Sequence, residues 1–161
     1  MKPIALVLAA LTLAGPALAQ NPAQIARAGA GASCAGCNLF QADYSNKEMK
    51  GRNFAGARLR QSDLSLSVMN RTSFARADLR DVNAYGGVFS SASFAGDDLT
   101  NATFVGTYLE GANFSGARLT GANFSGAEMN RAHGLTQAQL NAACGDGSTQ
   151  LPAGLRIPVC R

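Results

Sequence analysis

"GANFSGARLTGANFSGAEMN", Gly111 to Asn130, is close to one five-letter word written four times, with apolar residues at Phe114, Leu119, Phe124 and Met129. A helix repeats its faces every 3.6 residues and a strand every 2, so a sustained period of five fits neither. The period belongs to a shape larger than one element. Carried backwards, the frame runs without an insertion through Leu109, Phe104, Leu99, Phe94, Phe89, Ala84, Leu79, Phe74, Met69, Leu64, Leu59, Phe54, Met49, Tyr44 and Leu39, nineteen centres in all.

Centres twenty apart match better than centres five apart. One set is Leu39, Leu59, Leu79, Leu99 and Leu119; a second is Phe54, Phe74, Phe94 and Phe114; a third, Met49, Met69, Phe89, Leu109 and Met129, is Met-rich. The fourth, Tyr44, Leu64, Ala84, Phe104 and Phe124, is mixed. A period of twenty divided into four describes a chain wound into a square solenoid, with like side chains stacked one turn above another at ~4.8 Å. Small residues two before the centres, among them Ala57, Ala77, Ala92 and Ala112, suit a second inward site in a narrow interior. Glycines such as Gly56, Gly96, Gly106 and Gly116 fall where the chain turns a corner. The expected fold class is all-β: one continuous parallel β-helix.

The words "ADYSN", "SDLSL", "ADLRD", "ARLTG" and "ANFSG" (twice) give the chain a resemblance to the pentapeptide-repeat family, whose motif is A-(D/N)-(L/F)-X-X. The resemblance extends over Cys37 to Ala132 and implies a right-handed quadrilateral β-helix. It implies little about activity, because one fold hosts unrelated roles. Some members of the family mimic duplex DNA with an acidic surface. This chain is basic, at a formal +4, and nucleic acid is not an expected partner.

The ends carry other signals. Lys2, the apolar run Ile4 to Ala14, the Gly15-Pro16 break and Ala17-Leu18-Ala19 have the pattern of a cleavable secretory signal covering residues 1–19, with cleavage after Ala19. The run is short for a membrane span, so a mature chain without a transmembrane segment, periplasmic or secreted, is expected. Residues 20–36 are Gly- and Ala-rich and read as a flexible segment and cap, with a short helix possible over Ala23 to Ala28. Residues 37–132 form the repeat and 133–161 a C-terminal cap, in which Thr136 and Gln139 fit a capping box opening a short helix.

Four cysteines suit an oxidising compartment. Nearly five turns separate Cys34 and Cys37 from Cys144 and Cys160, on the order of 20 Å and beyond disulfide reach, so local pairs are expected. "CAGC" also has dithiol redox spacing, which keeps a thiol-disulfide activity at Cys34 and Cys37 as a third reading. The single His133 has no recognisable partner, and Asp97 and Asp98 point to opposite sides of the wall; no catalytic, metal or cofactor site is expected.

Binding is the remaining class. Arg58, Arg60, Arg76 and Arg80 make the first half of the solenoid basic, and Tyr85 and Tyr108 are candidate exposed aromatics for a contact surface. The sequence therefore points to a non-enzymatic scaffold or protein-interaction surface. The alternative is a binder of anionic envelope ligands, such as polysaccharide, lipid headgroup or acidic protein, through the basic half. Monomer and dimer both stay open. Asp97, in a usually small inward position, is the most anomalous residue of the repeat.

Overall fold

The computed structural model describes residues 19–161; the segment read as a secretory signal lies, up to residue 18, outside the described residues. From Asn38 to Asn113 each five-residue unit contributes one parallel bridge to the unit twenty positions later. Four ladders result: Asn38–Arg58–Asp78–Asp98–Arg118, Asp43–Asp63–Asn83–Thr103–Asn123, Glu48–Val68–Val88–Tyr108–Glu128 and Asn53–Ser73–Ser93–Asn113–His133. The wall is thus made of single rungs, each held on both sides: Leu39 N–H donates to Arg58 O and Arg58 N–H to Cys37 O, both at 2.8 Å. It is a parallel β-helix.

Nearly every unit closes its corner in the same way. The carbonyl of the central residue accepts the N–H three positions on, as in Ala57 N–H to Phe54 O at 2.9 Å, and the residue two after the centre takes φ > 0. That is the pattern of a type II turn. The Asp or Asn before the centre locks the corner from outside: Asn113 Oδ1 accepts from Ser115 N–H at 3.0 Å, and Asp63 Oδ1 from Ser65 N–H at 2.8 Å. The acidic and amide residues of the motif therefore serve the backbone before they serve any ligand.

The interior is solid. Phe54, Phe74, Phe94 and Phe114 stack with ring centroids 5.8, 5.4 and 5.1 Å apart, and Phe104 and Phe124 stack at 5.3 Å. Phe89 ties the two stacks together, packed against Phe74, Phe94 and Phe104 at 6.1, 5.9 and 6.3 Å. The stretch "AYGGV", Ala84 to Val88, keeps the regular corner despite its paired glycines, with Gly87 N–H donating to Ala84 O at 3.1 Å. At three polar second inward sites the hydroxyl donates to a central carbonyl of the coil below, Ser62 to Leu39 O, Thr72 to Met49 O and Thr107 to Ala84 O, while Ser67 donates to Leu64 O of its own coil.

Each end is closed by a short helix that lends a glutamine. Helix α1, Pro22–Gly29, is capped by Asn21, whose side chain accepts from Gln24 N–H, and has a proline at its start. Its Gln24 Oε1 accepts the Asn38 N–H at 2.7 Å, a donor with no coil above it, and Ile25 O accepts from the Tyr44 hydroxyl at 3.2 Å. About half of the segment that composition marks as flexible, Pro22–Gly29, is therefore helical, because it covers an open apolar end. Helix α2, Gln137–Asn141, begins with the Thr136–Gln139 capping box. Gln139 Nε2 donates to Phe114 O at 2.9 Å and Ala117 O at 2.8 Å, two carbonyls of the coil beneath the helix.

The solenoid extends further than the repeat motif. Asn123 pairs with Cys144 and Glu128 with Gln150, intervals of 21 and 22 positions instead of 20. One extra residue is absorbed where α2 replaces one side and the second between Cys144 and Gln150, so the tail is a last irregular coil and not a separate layer. Among the described residues no helix is long and apolar enough to cross a membrane.

Candidate interaction surface

The arginines proposed as a basic surface stand on the ladder of Arg58, Asp78 and Asp98, and the carboxylates there engage them. Arg80 donates through Nε to Asp78 Oδ1 at 2.7 Å and through Nη2 to Oδ2 at 2.6 Å, with Asp98 at 3.9 Å. The fork holds the Asp78 carboxyl below its ordinary range, first through the Arg80 hydrogen bond and against a desolvation that raises it. Arg60 lies 3.5 Å from Asp81, and the Arg58 guanidinium sits 5.0 Å over the Phe40 ring. The net field of this ladder is accordingly smaller than the arginine count suggests. Arg76 occupies a corner one side away at φ 61°. Lys50, Gly51, Asn70 and Arg71 line a shallow cleft of about 340 Å³ at another corner.

Tyr85 and Tyr108 are both about half exposed, at 54% and 47%. They are joined by a residue the sequence reading passed over, Leu66, which is 52% exposed and holds φ 56°. The signal was present: Leu66 stands at a corner position that glycine fills elsewhere, and Val68, Val88 and Tyr108 follow one another on a single ladder. These three side chains cluster on one face of the solenoid and its adjoining corner.

The cysteines pair as Cys34–Cys37 and Cys144–Cys160. Both sulfurs of the first pair belong to buried residues, and Arg27 of α1 places Nη2 3.2 Å from Cys34 Sγ and 3.5 Å from Cys37 Sγ. This packing fastens α1 to the first coil and shields the sulfurs from an attacking thiolate. Asp97 is buried at 1% exposure; its Oδ1 accepts the Ala77 N–H at 3.0 Å and its Oδ2 has no partner. Desolvation pushes its carboxyl up to about 8 against the lowering effect of backbone N–H groups, so it is protonated in the folded chain at neutral pH. His133 is exposed and bridges Asn113. Among the described residues no cluster of His, Cys, Asp and Glu could hold a metal ion.

A solid-cored β-solenoid that carries its distinguishing chemistry on outer ladders belongs to the class of repeat scaffolds. Eight copies of the Pentapeptide repeats family model match residues 32–71 and 98–133. The unmatched interval contains Ala84 and Asp97, yet its bridges keep the twenty-residue register. No curated protein matches the chain significantly. Similar solved structures include a pentapeptide repeat protein of the Arabidopsis thaliana thylakoid lumen, 27% identical with a TM-score of 0.35 over 63% of this chain. This chain spans 60% of that protein's length. Rfr23 of Cyanothece 51142 is 21% identical, TM-score 0.43, over 81% of this chain and 98% of its own. A pentapeptide repeat protein of Nostoc Pcc 7120 is 21% identical, TM-score 0.42, over 85% of this chain and 88% of its own. Proteins of the family are generally non-enzymatic scaffold or interaction proteins.

Proposed function

We propose that this chain is an exported, non-enzymatic scaffold, a rigid quadrilateral rod braced by disulfides and capped by α2, that presents its outer ladders to a protein partner. The observation carrying this reading is the division of labour within each unit. Inward positions fill a solid core, motif carboxylates lock corners, and the chemically distinctive side chains face outward on a regular lattice. Two disulfides support the oxidising compartment that export requires. Amino-terminal sequencing of the native protein should begin at Gln20. Capture of a protein from envelope extract by the unmodified chain, lost when Arg60 and Arg80 become Glu, supports the role; a turnover abolished by one substitution overturns it.

A second reading, an anionic envelope ligand bound on the basic half, is favoured by one feature: Arg71 at the Lys50 cleft and Arg76 at the next corner have no carboxylate at ion-pair distance among the described residues. Retention on a sulfated polysaccharide at physiological salt should fall when Arg71 and Arg76 are changed to Glu. Unchanged retention removes this reading.

A further inference from the structure

We infer that the face bearing Val68, Val88 and Tyr108 is a self-association surface, occupied by a second copy of this chain turned end for end about a two-fold axis at Val88. The inference does not depend on the partner-binding role proposed above.

Three of the four large exposed hydrophobic residues among the described residues, Leu66, Tyr85 and Tyr108, lie on this face or its corner. Leu66 is there at a conformational cost: left-handed backbone disfavours a branched side chain by roughly 1 kcal/mol, and glycine holds the same corner at Gly86, Gly106 and Gly126. Its Cδ2 lies against Gly86, 2.9 Å from where a Cβ would stand, so that glycine provides the shelf on which Leu66 rests. A solvent-facing leucine held in strained backbone on a glycine shelf is the kind of outlier that marks a contact surface.

The repeat decides the occupant. Val68 and Tyr108 stand one rung either side of Val88. A two-fold axis at Val88, perpendicular to the rod, sets Val68 over Tyr108 of the second copy and Leu66 over its Gly106, where nothing lies within 4 Å of a would-be Cβ. Charge along the face reverses from end to end: Lys50 and Arg71 lie at the N-terminal end, Glu110 and Glu128 at the C-terminal end. The same rotation brings Arg71 beside Glu110 and Lys50 beside Glu128 of the second copy. Glu48, which this rotation sets over Glu128, already has Lys50 at 2.6 Å to supply counter-charge, and the exposed Arg131–Glu110 pair at 2.8 Å is weak enough to exchange. A partner of one charge sign, or a lipid surface, matches only one end. Five rungs at ~4.8 Å give a face about 20 Å long, smaller than a standard interface, so the dimer should be weak and concentration-dependent.

Sedimentation equilibrium of the full chain from micromolar to submillimolar concentration tests this. The unmodified chain should dimerise, Val88→Lys should weaken association about tenfold or more, and Arg71→Glu should weaken it less. Adding Glu110→Arg to Arg71→Glu should restore it. Leu66→Asn, which suits left-handed backbone, should weaken association without lowering the melting temperature, separating the surface from the fold. A chain that stays monomeric throughout overturns the inference, as does a dimer indifferent to Val88→Lys. A monomer that instead binds phosphatidylglycerol vesicles, and loses that binding with Val88→Lys, assigns the face to lipid and overturns it too.

Discussion

The two halves of the solenoid follow one plan with different parts. From Leu39 to Asn101, nine corners place a side chain in left-handed backbone: Gln41, Asn46, Gln61, Leu66, Arg71, Arg76, Asp81, Ser91 and Asn101. From Ala102 to Met129, Gly106, Gly111, Gly116, Gly121 and Gly126 hold every corner. Inward, the first part buries Ser62, Ser67, Thr72 and, near its end, Asp97, while the second is almost entirely alanine. The second half is close to what backbone geometry alone would choose. The first departs from it repeatedly, and its departures put charge and apolar surface outside and hydrogen-bonding groups inside.

Asp97 is the sharpest departure, and the largest expected effect belongs to it. The folded carboxyl titrates at about 8 and the unfolded one near 3.8. Between those values the folded chain holds a proton that the unfolded chain has released. Stability from this group is therefore complete below about pH 4 and is lost as pH rises towards 8, at up to about 1.4 kcal/mol per pH unit. Urea unfolding across that range should show the decline. Asp97→Ala, which matches Ala77 and Ala117 on the same ladder, should flatten the profile and raise stability at pH 7; Ala77 N–H keeps Phe74 O at 2.8 Å. An unchanged slope would mean that the carboxyl is not the source.

Next in size is the aromatic stack that joins the halves. Phe94 meets Phe74 and Phe114 face to face and Phe104 edge-on at 5.6 Å. Phe94→Ala should cost about 3–5 kcal/mol in denaturant unfolding. If unfolding then splits into two transitions, the halves have become separate cooperative units, which would deepen the contrast between them.

The two disulfides compare the ends in the same currency of stability. Cys144–Cys160 closes a separation of 16 residues and Cys34–Cys37 one of 3. On the chain-entropy model, opening the first should cost about 3 kcal/mol and the second about 2. Cys-to-Ser pairs measured side by side test the order. A larger loss at the N-terminal end would show that the Arg27 contact and the docking of α1 outweigh loop entropy.

Much of this was legible in the sequence because a solenoid writes its geometry locally. The period of twenty, the phenylalanine ladder and the α2 capping box each follow from residues at fixed offsets. What was not legible depends on neighbours a full turn away. The Ala- and Gly-rich segment before Cys34 reads as flexible until an uncovered coil end gives Ile25 and Ala28 something to cover. The arginines read as a positive field until the ladder sets Arg80 against Asp78 and Asp98. The lengthened last coil could not be foreseen, since its 21- and 22-residue intervals come from one residue added where α2 takes over a side and one more in the turn between Cys144 and Gln150. Leu66 escaped because a leucine in a motif's variable position looks ordinary until its φ is known.

The corners give the smallest effects and the most direct test of the comparison. Gly116 has open space around a would-be Cβ, so Gly116→Ala isolates the backbone cost of its φ of 67°. It should lose roughly 1 kcal/mol. The reverse change in the first half, Leu66→Gly, removes a left-handed side chain but frees the unfolded chain, and the two effects leave a net gain of roughly 0.5 kcal/mol. Opposite signs at two corners of the same geometry would establish that the first half gives up stability for the side chains it displays. A loss at both would mean that Leu66 is held by contacts within its own chain, and the exposed corner would then belong to the fold and not to a surface for a partner.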